Sequence, residues 1–527
     1  MTQDASSPAA VALPRGAWEW AAAEPERPAL RFRDETISFG RLVGRANQLA
    51  RELRERGVTR ESVVAALLLN GPEYFELSLA AGQIGAYLLP INWHLTPDEI
   101  VYILEDSGAS VLFASPLPGA TLVDHWDRLP ETRVATGEGL EGWTAYADFA
   151  AEQSTAPIDD RTYGSIMGYT SGTTGRPKGV RREHTEVAPE EGIKLFAALL
   201  PTFGIGTSEG THLLCSPMYH AAPFGFATGT LHYGQCVLIH ERFDAAAVLD
   251  AFSNGGVTNS HMVPTHFHRM LALPEDVRAA ADLSGLVAIV HAGASCPPAI
   301  KQAMLDWFGP IVWEYLGATE GTVSFVSPQV WAAKPGSVGK PPEAVNVTIR
   351  REDGTVAGPN EEGTIYFRTG APFVYHNDPE KTEANRWGDL ITVGDLGMLD
   401  EDGYLYLLDR RSDLIVSGGV NIYPAEVEAG LLTHPAVRDV GVIGMTDDEW
   451  GRRVAAVIAL NPGWEPSEET VESLRAYAEE QLPKYKRPRE YKFLDEFPRT
   501  DAGKVQRRKL RDIFDPERPA TTMTPVG

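Results

Sequence analysis

The chain has 527 residues, more than one hydrophobic core usually organises, so two or more domains are expected. Its hydrophobic share of 43% and charged share of 23% are ordinary for a folded globular protein. The formal net charge of −25 argues against nucleic acid or an anionic membrane as the main partner. No run approaches the ~18 apolar residues of a membrane span. The first residues also lack the basic start and apolar stretch of a secretion signal, so we expect a cytoplasmic location.

The three cysteines, Cys215, Cys236 and Cys296, are too few and too scattered for a disulfide framework or a metal site. Free cysteines are among the most often buried residues, so we expect all three to be buried thiols. Free thiols fit the reducing environment of the cytoplasm, the location that we expect.

The first part of the chain alternates helix and strand patterns. Thr96, Pro97 and Glu99 form a capping box with proline at the first helical position, and Gly108 predicts the end of that helix. A short apolar run follows at residues 111–113, as in a buried strand. This alternation predicts an α/β domain with a largely parallel sheet. Residues 115–161 show weak periodicity, and we expect them to lie on the surface.

A loop between two strand-like segments carries the strongest chemical signal. It combines small hydroxyl residues, glycines and a lysine, which can all approach phosphate oxygens. No helix is predicted after the lysine, which excludes the GxxxxGK[ST] nucleotide loop. By composition alone the segment is also typical of a flexible turn. The candidate phosphate-binding residues are Thr170, Ser171, Gly172, Thr173, Thr174, Gly175 and Lys178.

The full string from Tyr169 to Val180 closely resembles the phosphate-binding signature of the adenylate-forming superfamily, which includes acyl-CoA ligases, peptide-synthetase adenylation domains and luciferases. Later segments follow the order of that family, and acyl-CoA ligases are the closest branch. The resemblance implies that Lys178 and the loop hydroxyls hold the β- and γ-phosphates of ATP. With the helix and strand pattern, it predicts a large, multi-layered N-terminal α/β domain with mostly parallel sheets in residues 1–409. A small, mobile α+β C-terminal domain is expected in residues 410–527.

The segment from Leu316 to Gly321 is similar to the family's aromatic-Gly-x-Thr-Glu motif. The resemblance implies that Glu320 binds Mg²⁺ with help from Thr170, and that Thr319 contacts the α-phosphate. Magnesium prefers such a hard oxygen set. Leu316 departs from the family, because an aromatic residue usually stacks near the adenine there, and neighbouring Tyr315 is the candidate to replace it. Without the resemblance, a Thr-Glu pair after glycine is typical of a helix start.

Further segments resemble the nucleoside-binding parts of the family. Asp395 matches the aspartate that bonds both ribose hydroxyls, and a carboxylate can accept two hydrogen bonds at once. Arg410 resembles the arginine that also holds the ribose. Gly293 and Ala294 look like the small-residue wall beside adenosine and the acyl group. The alternative for Asp395 is an ordinary aspartate in a glycine turn.

The C-terminal region resets into a smaller α+β pattern, with strands predicted at residues 440–443 and 454–460 and a helix after Ser467. Gly418 and Gly419 resemble the turn that borders the pantetheine tunnel of CoA ligases, and Ser412 occupies the family's hinge position. Lys504 matches the lysine that catalyses adenylation. Residues 484–511 carry eleven Lys or Arg against four Asp or Glu. That excess fits either a phosphate-rich ligand or a solvated basic face.

The acyl-binding side is expected around residues 218–229. His220 resembles the histidine that gates the carboxylate pocket, although it could equally be a core histidine. Amino-acid-activating relatives place an aspartate where this chain has Ala221. Phe224 and Phe226, together with Met262 and Val263, are expected to form an apolar pocket, with small residues such as Gly229 leaving room.

The predicted function is therefore an ATP-dependent, AMP-forming acyl-CoA ligase that uses ATP, Mg²⁺ and coenzyme A. We expect its acid to be bulky and apolar, such as an aromatic, long aliphatic or polycyclic carboxylate. A peptide-synthetase module would need a carrier domain after Lys504, where the sequence gives only residues 505–527, so we expect coenzyme A as the acceptor. Two alternatives stay open: an enzyme that loads a separate carrier protein, and a non-catalytic nucleotide-binding regulator. Retention of Glu320 and Lys504 speaks against the regulator, and a homodimer also stays open.

Overall fold

The computed structural model describes residues 13–170, 177–410, 413–417, 420–447, 450–499 and 505–515. These residues form two compact units. The first unit takes the described parts of Met1–Ala292, Met304–Thr322 and Thr369–Arg386; the second takes those of Gly293–Ala303, Val323–Arg368 and Trp387–Gly527. The predicted domain boundary between residues 409 and 410 stays a prediction.

The α-helices of the described residues, in chain order, are α1 Ala17–Ala23, α2 Phe39–Glu55, α3 Pro72–Ile84, α4 Pro97–Ser107, α5 Pro116–Ala120, α6 Pro189–Ala197, α7 Ala221–Tyr233, α8 Ala245–Asn254, α9 Pro264–Leu271, α10 Glu275–Ala280, α11 Pro298–Phe308, α12 Pro328–Ala333, α13 Pro379–Ala384, α14 Pro424–Leu431, α15 Glu468–Gln481 and α16 Arg507–Phe514. None of these helices is long and apolar enough to cross a membrane.

The strands are β1 Pro28–Phe32, β2 Glu35–Ser38, β3 Val63–Leu67, β4 Tyr87–Pro90, β5 Ala109–Ala114, β6 Thr132–Ala135, β7 Thr144–Ala145, β8 Ser165–Ile166, β9 Gly168–Thr170, β10 Lys178–Arg182, β11 Thr211–Leu214, β12 Cys236–Ile239, β13 Asn259–Met262, β14 Ala288–His291, β15 Val312–Ala318, β16 Gly321–Val326, β17 Thr348–Arg350, β18 Gly363–Tyr366, β19 Phe373–Tyr375, β20 Arg386–Trp387, β21 Leu390–Ile391, β22 Asp395–Leu399, β23 Leu405–Arg410, β24 Ile415–Ser417, β25 Val420–Ile422, β26 Val437–Asp447, β27 Gly451–Leu460 and β28 Glu490–Phe493.

Two largely parallel sheets and one small antiparallel sheet build the first unit. One sheet has the order β15-β14-β13-β11-β12-β1-β2 within this unit, and its neighbours are parallel except for β1 and β2. The other parallel sheet has the order β7-β6-β5-β3-β4-β8. The small sheet β19-β10-β9 is antiparallel and contains the lysine end of the predicted phosphate loop. The predicted α/β class with mostly parallel sheets is confirmed.

The local signals around α4 are also confirmed. The Thr96 hydroxyl accepts a hydrogen bond from the backbone N–H of Glu99 while the Glu99 carboxylate returns one, as a capping box requires. Gly108 ends the helix in the left-handed conformation, with φ of 63°.

The expectation that residues 115–161 lie on the surface holds only in part, since most of them are exposed or half-buried but some join a sheet and its core. This stretch contributes β6 and β7 to a parallel sheet, and Val134 and Phe149 are buried. Its strands are only two to four residues long, too short to show a period in the sequence. The expectation for the cysteines also holds only for Cys215, since Cys236 and Cys296 are partly exposed.

The second unit contains the antiparallel sheet β17-β18-β22-β23, the hairpin β24-β25 and the sheet β26-β27-β28. Strands β26 and β27 cover the predicted segments, and Ser467 caps α15 by accepting from the backbone N–H of Thr470. The helix predicted after Ser467 is confirmed, and its Leu474 and Ala478 are buried in the core of this unit.

Candidate functional site

Strands β9 and β10 carry the two ends of the predicted phosphate loop. They pair antiparallel, with Thr170 opposite Lys178. A β-carbon added at Gly168 would lie 3.0 Å from Cγ2 of Thr319, so the absent side chain lets β9 pass close to that threonine. This packing brings Thr170, Lys178 and Thr319 into one region of the first unit. Ser171, Gly172, Thr173, Thr174 and Gly175 lie outside the described residues.

Lys178 forms an ion pair with Asp378. Asp378 follows β19 and caps α13, because its Oδ1 accepts from the backbone N–H of Lys381 at 3.0 Å. The bond from Lys178, and next the one from that N–H, lowers the pKa of the Asp378 carboxyl. The lysine that we predicted to bind phosphate is therefore already paired with a carboxylate.

Glu320 lies in the turn after β15 and is only 5% exposed. The Tyr375 hydroxyl donates to its Oε1 at 2.8 Å, and no described residue donates to its other carboxylate oxygen. Arg182 donates to the backbone carbonyls of Thr319 and Glu320 at 2.8 and 2.9 Å, which fixes the turn. A buried carboxylate with one oxygen left over fits a Mg²⁺ ion that completes its shell with phosphate and water oxygens.

Lys381 adds a second cation to this region. Its ammonium lies 5.2 Å from the centroid of the Tyr375 ring. Burial, followed by the nearby charge of Lys178, lowers the pKa of Lys381. We call Lys178, Glu320, Tyr375, Asp378 and Lys381 the phosphate-side cluster.

Asp106, in the last turn of α4, forms hydrogen bonds to two segments that carry residues of this cluster. Its Oδ2 accepts from the Tyr169 hydroxyl at 2.6 Å, and its backbone carbonyl accepts from Nδ2 of Asn377 at 3.1 Å. One helix end therefore anchors both β9 and the turn that carries Asp378.

Aromatic side chains group around Tyr315 of β15. The Phe226 ring lies 5.7 Å from the Tyr315 ring and 5.6 Å from the Phe203 ring. His261 packs on Phe226, and burial, followed by His212 and His220, lowers its pKa to about 3. His261 is therefore neutral near pH 7 and adds no charge beside Tyr315, whose hydroxyl lies 3.4 Å from its Nε2. Leu316 beside it is half-buried.

His220 lies at the N-terminal boundary of α7, with its ring 4.5 Å from that of Tyr219. Phe224, expected in the acyl pocket, is buried in the core against Tyr74 and Phe75. A β-carbon on Gly229 would lie 2.7 Å from Leu200, so this glycine serves close packing against Leu200. We expected the small size of Gly229 to leave room in an acyl pocket, but it is explained by packing against Leu200.

In the second unit, Asp395 and Arg410 lie opposite each other in the pairing of β22 with β23. The Thr392 hydroxyl accepts from the N–H of Gly394 at 3.0 Å and shapes the turn before Asp395. Gly293 and Ala294, which follow β14, also belong to this unit. Gly418, Gly419, Ser412 and Lys504 lie outside the described residues, and their roles stay predictions.

Arg507 forms a second charged group, entirely within the second unit. Its guanidinium lies 2.6 Å from Glu428, 3.1 Å from Asp413 and 4.0 Å from Asp409, and it is only 8% exposed. Burial alone would lower the pKa of Arg507, but the three carboxylates outweigh it and raise the pKa. We call these four residues the Arg507 cluster.

Sequence reasoning missed Tyr375, Asp378 and Lys381. Asp378 followed by Pro379 is a recognisable helix start, so α13 could have been predicted. The contacts with Lys178 and Glu320 could not, because they join segments about 200 and 55 residues apart.

Comparisons with known proteins show the family of this chain. The family model of the AMP-binding enzymes matches residues 17–373, and that of the AMP-binding enzyme C-terminal domain matches residues 426–504. The chain is 33% identical to 2-succinylbenzoate–CoA ligase of Bacillus pumilus, over 92% of this chain and 95% of that protein.

Two solved structures are similar to this chain over most of its length. The o-succinylbenzoate coenzyme A synthetase of Bacillus subtilis, in complex with ATP and a magnesium ion, has a TM-score of 0.78 and 30% identity, covering 95% of this chain and 99% of that one. An anthranilate CoA ligase in complex with anthranoyl-AMP has a TM-score of 0.84 and 26% identity, covering 96% of this chain and 98% of that one.

The chain belongs to the AMP-binding enzyme family. Its recognition as an adenylate-forming enzyme of the acyl-CoA ligase branch is confirmed, and so is its class, an ATP-dependent acid–thiol ligase. The predicted cofactors ATP, Mg²⁺ and coenzyme A are those of this class.

Proposed function

We propose that the enzyme activates a bulky, apolar carboxylic acid with ATP and passes the acyl group to coenzyme A. The observation that carries this proposal is the phosphate-side cluster, in which buried Glu320 is joined through Tyr375 to the strands that hold Lys178. A lysine and a buried carboxylate at one site suit a polyphosphate with its metal ion.

In the first step, a carboxylate oxygen of the acid attacks the α-phosphorus of ATP, and pyrophosphate leaves with the electrons of the broken P–O bond. Lys178 would hold the β- and γ-phosphates, and Lys504 would stabilise charge on the α-phosphate. Glu320 with Thr170 would hold Mg²⁺, which supplies neutralising charge to the phosphates. The protein therefore contributes mainly positioning and electrostatic stabilisation.

In the second step, the thiol of coenzyme A loses its proton and attacks the acyl carbonyl, and AMP leaves. Gly418 and Gly419 would border the path of the pantetheine arm. Asp395 and Arg410 would hold the ribose in both steps, and their opposite positions on β22 and β23 suit a shared ligand.

The proposal of an apolar acid rests on the aromatic group of Phe203, Phe226 and Tyr315 together with Ala221. Alanine at position 221 offers no charge to an α-ammonium group. The relatives described above act, by their names, on 2-succinylbenzoate and anthranilate, which are aromatic acids. Aromatic carboxylates are therefore the first class to test. A cytoplasmic location would suit an enzyme that depends on ATP and coenzyme A.

The test is a pyrophosphate-release screen over aromatic, long aliphatic, polycyclic and α-amino acids, each with and without coenzyme A. We expect turnover with apolar acids that rises when coenzyme A is present, and thioester as the product. Exchange of pyrophosphate into ATP with free amino acids alone would refute the proposed substrate class. Thioester on a purified carrier protein, with none on coenzyme A, would refute the proposed acceptor.

A further inference from the structure

Lys381 is the second cation of the phosphate-side cluster, beside Lys178. It lies in the first turn of α13, half-buried, with its ammonium 5.2 Å from the centroid of the Tyr375 ring. Among the described residues it forms no ion pair, whereas Lys178 next to it is paired with Asp378. A partly desolvated ammonium without a counter-ion is unfavourable unless a ligand supplies the charge.

The neighbouring carboxylates are already engaged. Asp378 gives one oxygen to Lys178 and the other to the backbone N–H of Lys381. Glu320 receives the Tyr375 hydroxyl and is the candidate ligand of a metal ion. No carboxylate of the described residues therefore forms an ion pair with the ammonium of Lys381, which leaves its charge for a ligand.

We propose that Lys381 binds the terminal phosphates of ATP, and the pyrophosphate formed from them, together with Lys178. The proposal rests on the proposed function, because it assumes that the phosphate-side cluster receives the triphosphate. Tyr375 touches both charges, through its hydroxyl to Glu320 and its ring to Lys381, so it fixes their relative positions. AMP lacks the terminal phosphates and should not sense Lys381.

The experiment compares Lys381→Met and Lys381→Arg with the wild type, by calorimetric titration with Mg-ATP, Mg-pyrophosphate and AMP. The matched control is Lys194→Met, which removes a lysine from α6 of the same unit, where it pairs with Glu191. Because charge-assisted hydrogen bonds contribute strongly to binding, Lys381→Met should weaken Mg-ATP and Mg-pyrophosphate binding by about 10-fold or more. AMP binding should stay within about twofold, because AMP lacks the terminal phosphates. Lys381→Arg should retain most of the affinity for Mg-ATP, because arginine keeps the positive charge.

Equal weakening of AMP and ATP binding by Lys381→Met would overturn the proposal, because it would indicate a structural role. Unchanged binding of ATP and pyrophosphate would overturn it as well. These titrations need neither acid nor coenzyme A. An enzyme that shows the predicted binding pattern but makes no thioester would support the role of Lys381 and refute the proposed function. An enzyme that makes thioester but does not show the predicted binding pattern would refute only the proposed role of Lys381.

Discussion

The two charged clusters of this enzyme differ in how completely they are paired. In the Arg507 cluster, three carboxylates surround one guanidinium that is almost fully buried. In the phosphate-side cluster, Lys381 forms no ion pair among the described residues, and Asp378 keeps 26% of its side chain exposed. A saturated cluster holds chain segments together, whereas an incompletely paired one leaves charge for a ligand. Changes in the first should therefore affect stability, and changes in the second should affect binding.

Arg507→Met should give the largest effect on stability. It would remove the buried cation that three clustered carboxylates share, which typically costs about 3–5 kcal/mol of unfolding free energy. Urea unfolding would measure the loss. Arg508→Met is the matched control, because Arg508 is the next residue of α16 and is exposed. If both variants were equally stable, the Arg507 cluster would not be structural.

Lys504→Ala, only three residues earlier in the chain, should act in the opposite way. Loss of one donor to the transition state slows a reaction by about 10²–10³-fold, so formation of the acyl-adenylate should fall by that factor. Thioester formation from preformed acyl-adenylate should stay near the wild-type rate, because that step does not involve the α-phosphate charge of ATP. Stability should change by less than ~0.5 kcal/mol. Single-turnover kinetics of each step would measure this, and an equal fall in both steps would contradict the assigned role.

Tyr375→Phe should weaken metal binding, because it removes one hydroxyl from the phosphate-side cluster. Residues that orient a metal ligand typically change metal affinity by about 10–100-fold, so we expect the Mg²⁺ concentration for half-maximal rate to rise by about 10-fold. Tyr477→Phe is the control, since its hydroxyl donates to Thr433 at 2.9 Å on the surface of the second unit. If both variants depended on Mg²⁺ concentration in the same way, Tyr375 would not contribute to metal binding.

Asp378→Asn should have the smallest effect. Lys178 lowers the pKa of Asp378, so their pair stabilises the fold above the usual carboxyl pKa and is lost as the pH falls through the lower folded pKa. The unfolding free energy of the wild type should therefore exceed that of the variant by less than ~1 kcal/mol near pH 7, because the ion pair is partly exposed. The difference should shrink as the pH falls below the usual carboxyl pKa and vanish below the lowered pKa of folded Asp378. Asparagine keeps the helix cap, so a difference that is independent of pH would exclude the ion pair as its source.

The local sequence predicted much of this enzyme. The capping box of α4, its glycine end and strands β26 and β27 need only nearby residues, and all three are confirmed. The loop string around Lys178 was specific enough to identify the superfamily. Short strands such as β7 were missed, because two residues cannot show a period and are stabilised by their sheet neighbours.

The sequence by itself determined the class of enzyme and the candidates Lys178 and Glu320. Only the tertiary structure decided their partners. Asp378 and Tyr375 reach them because β19 pairs with β10, a contact between segments about 190 residues apart. The same folding buries Arg507 and leaves Lys381 without an ion pair in the described chain. Residue type gives a side chain its charge, but the packing of distant segments decides whether that charge is already neutralised.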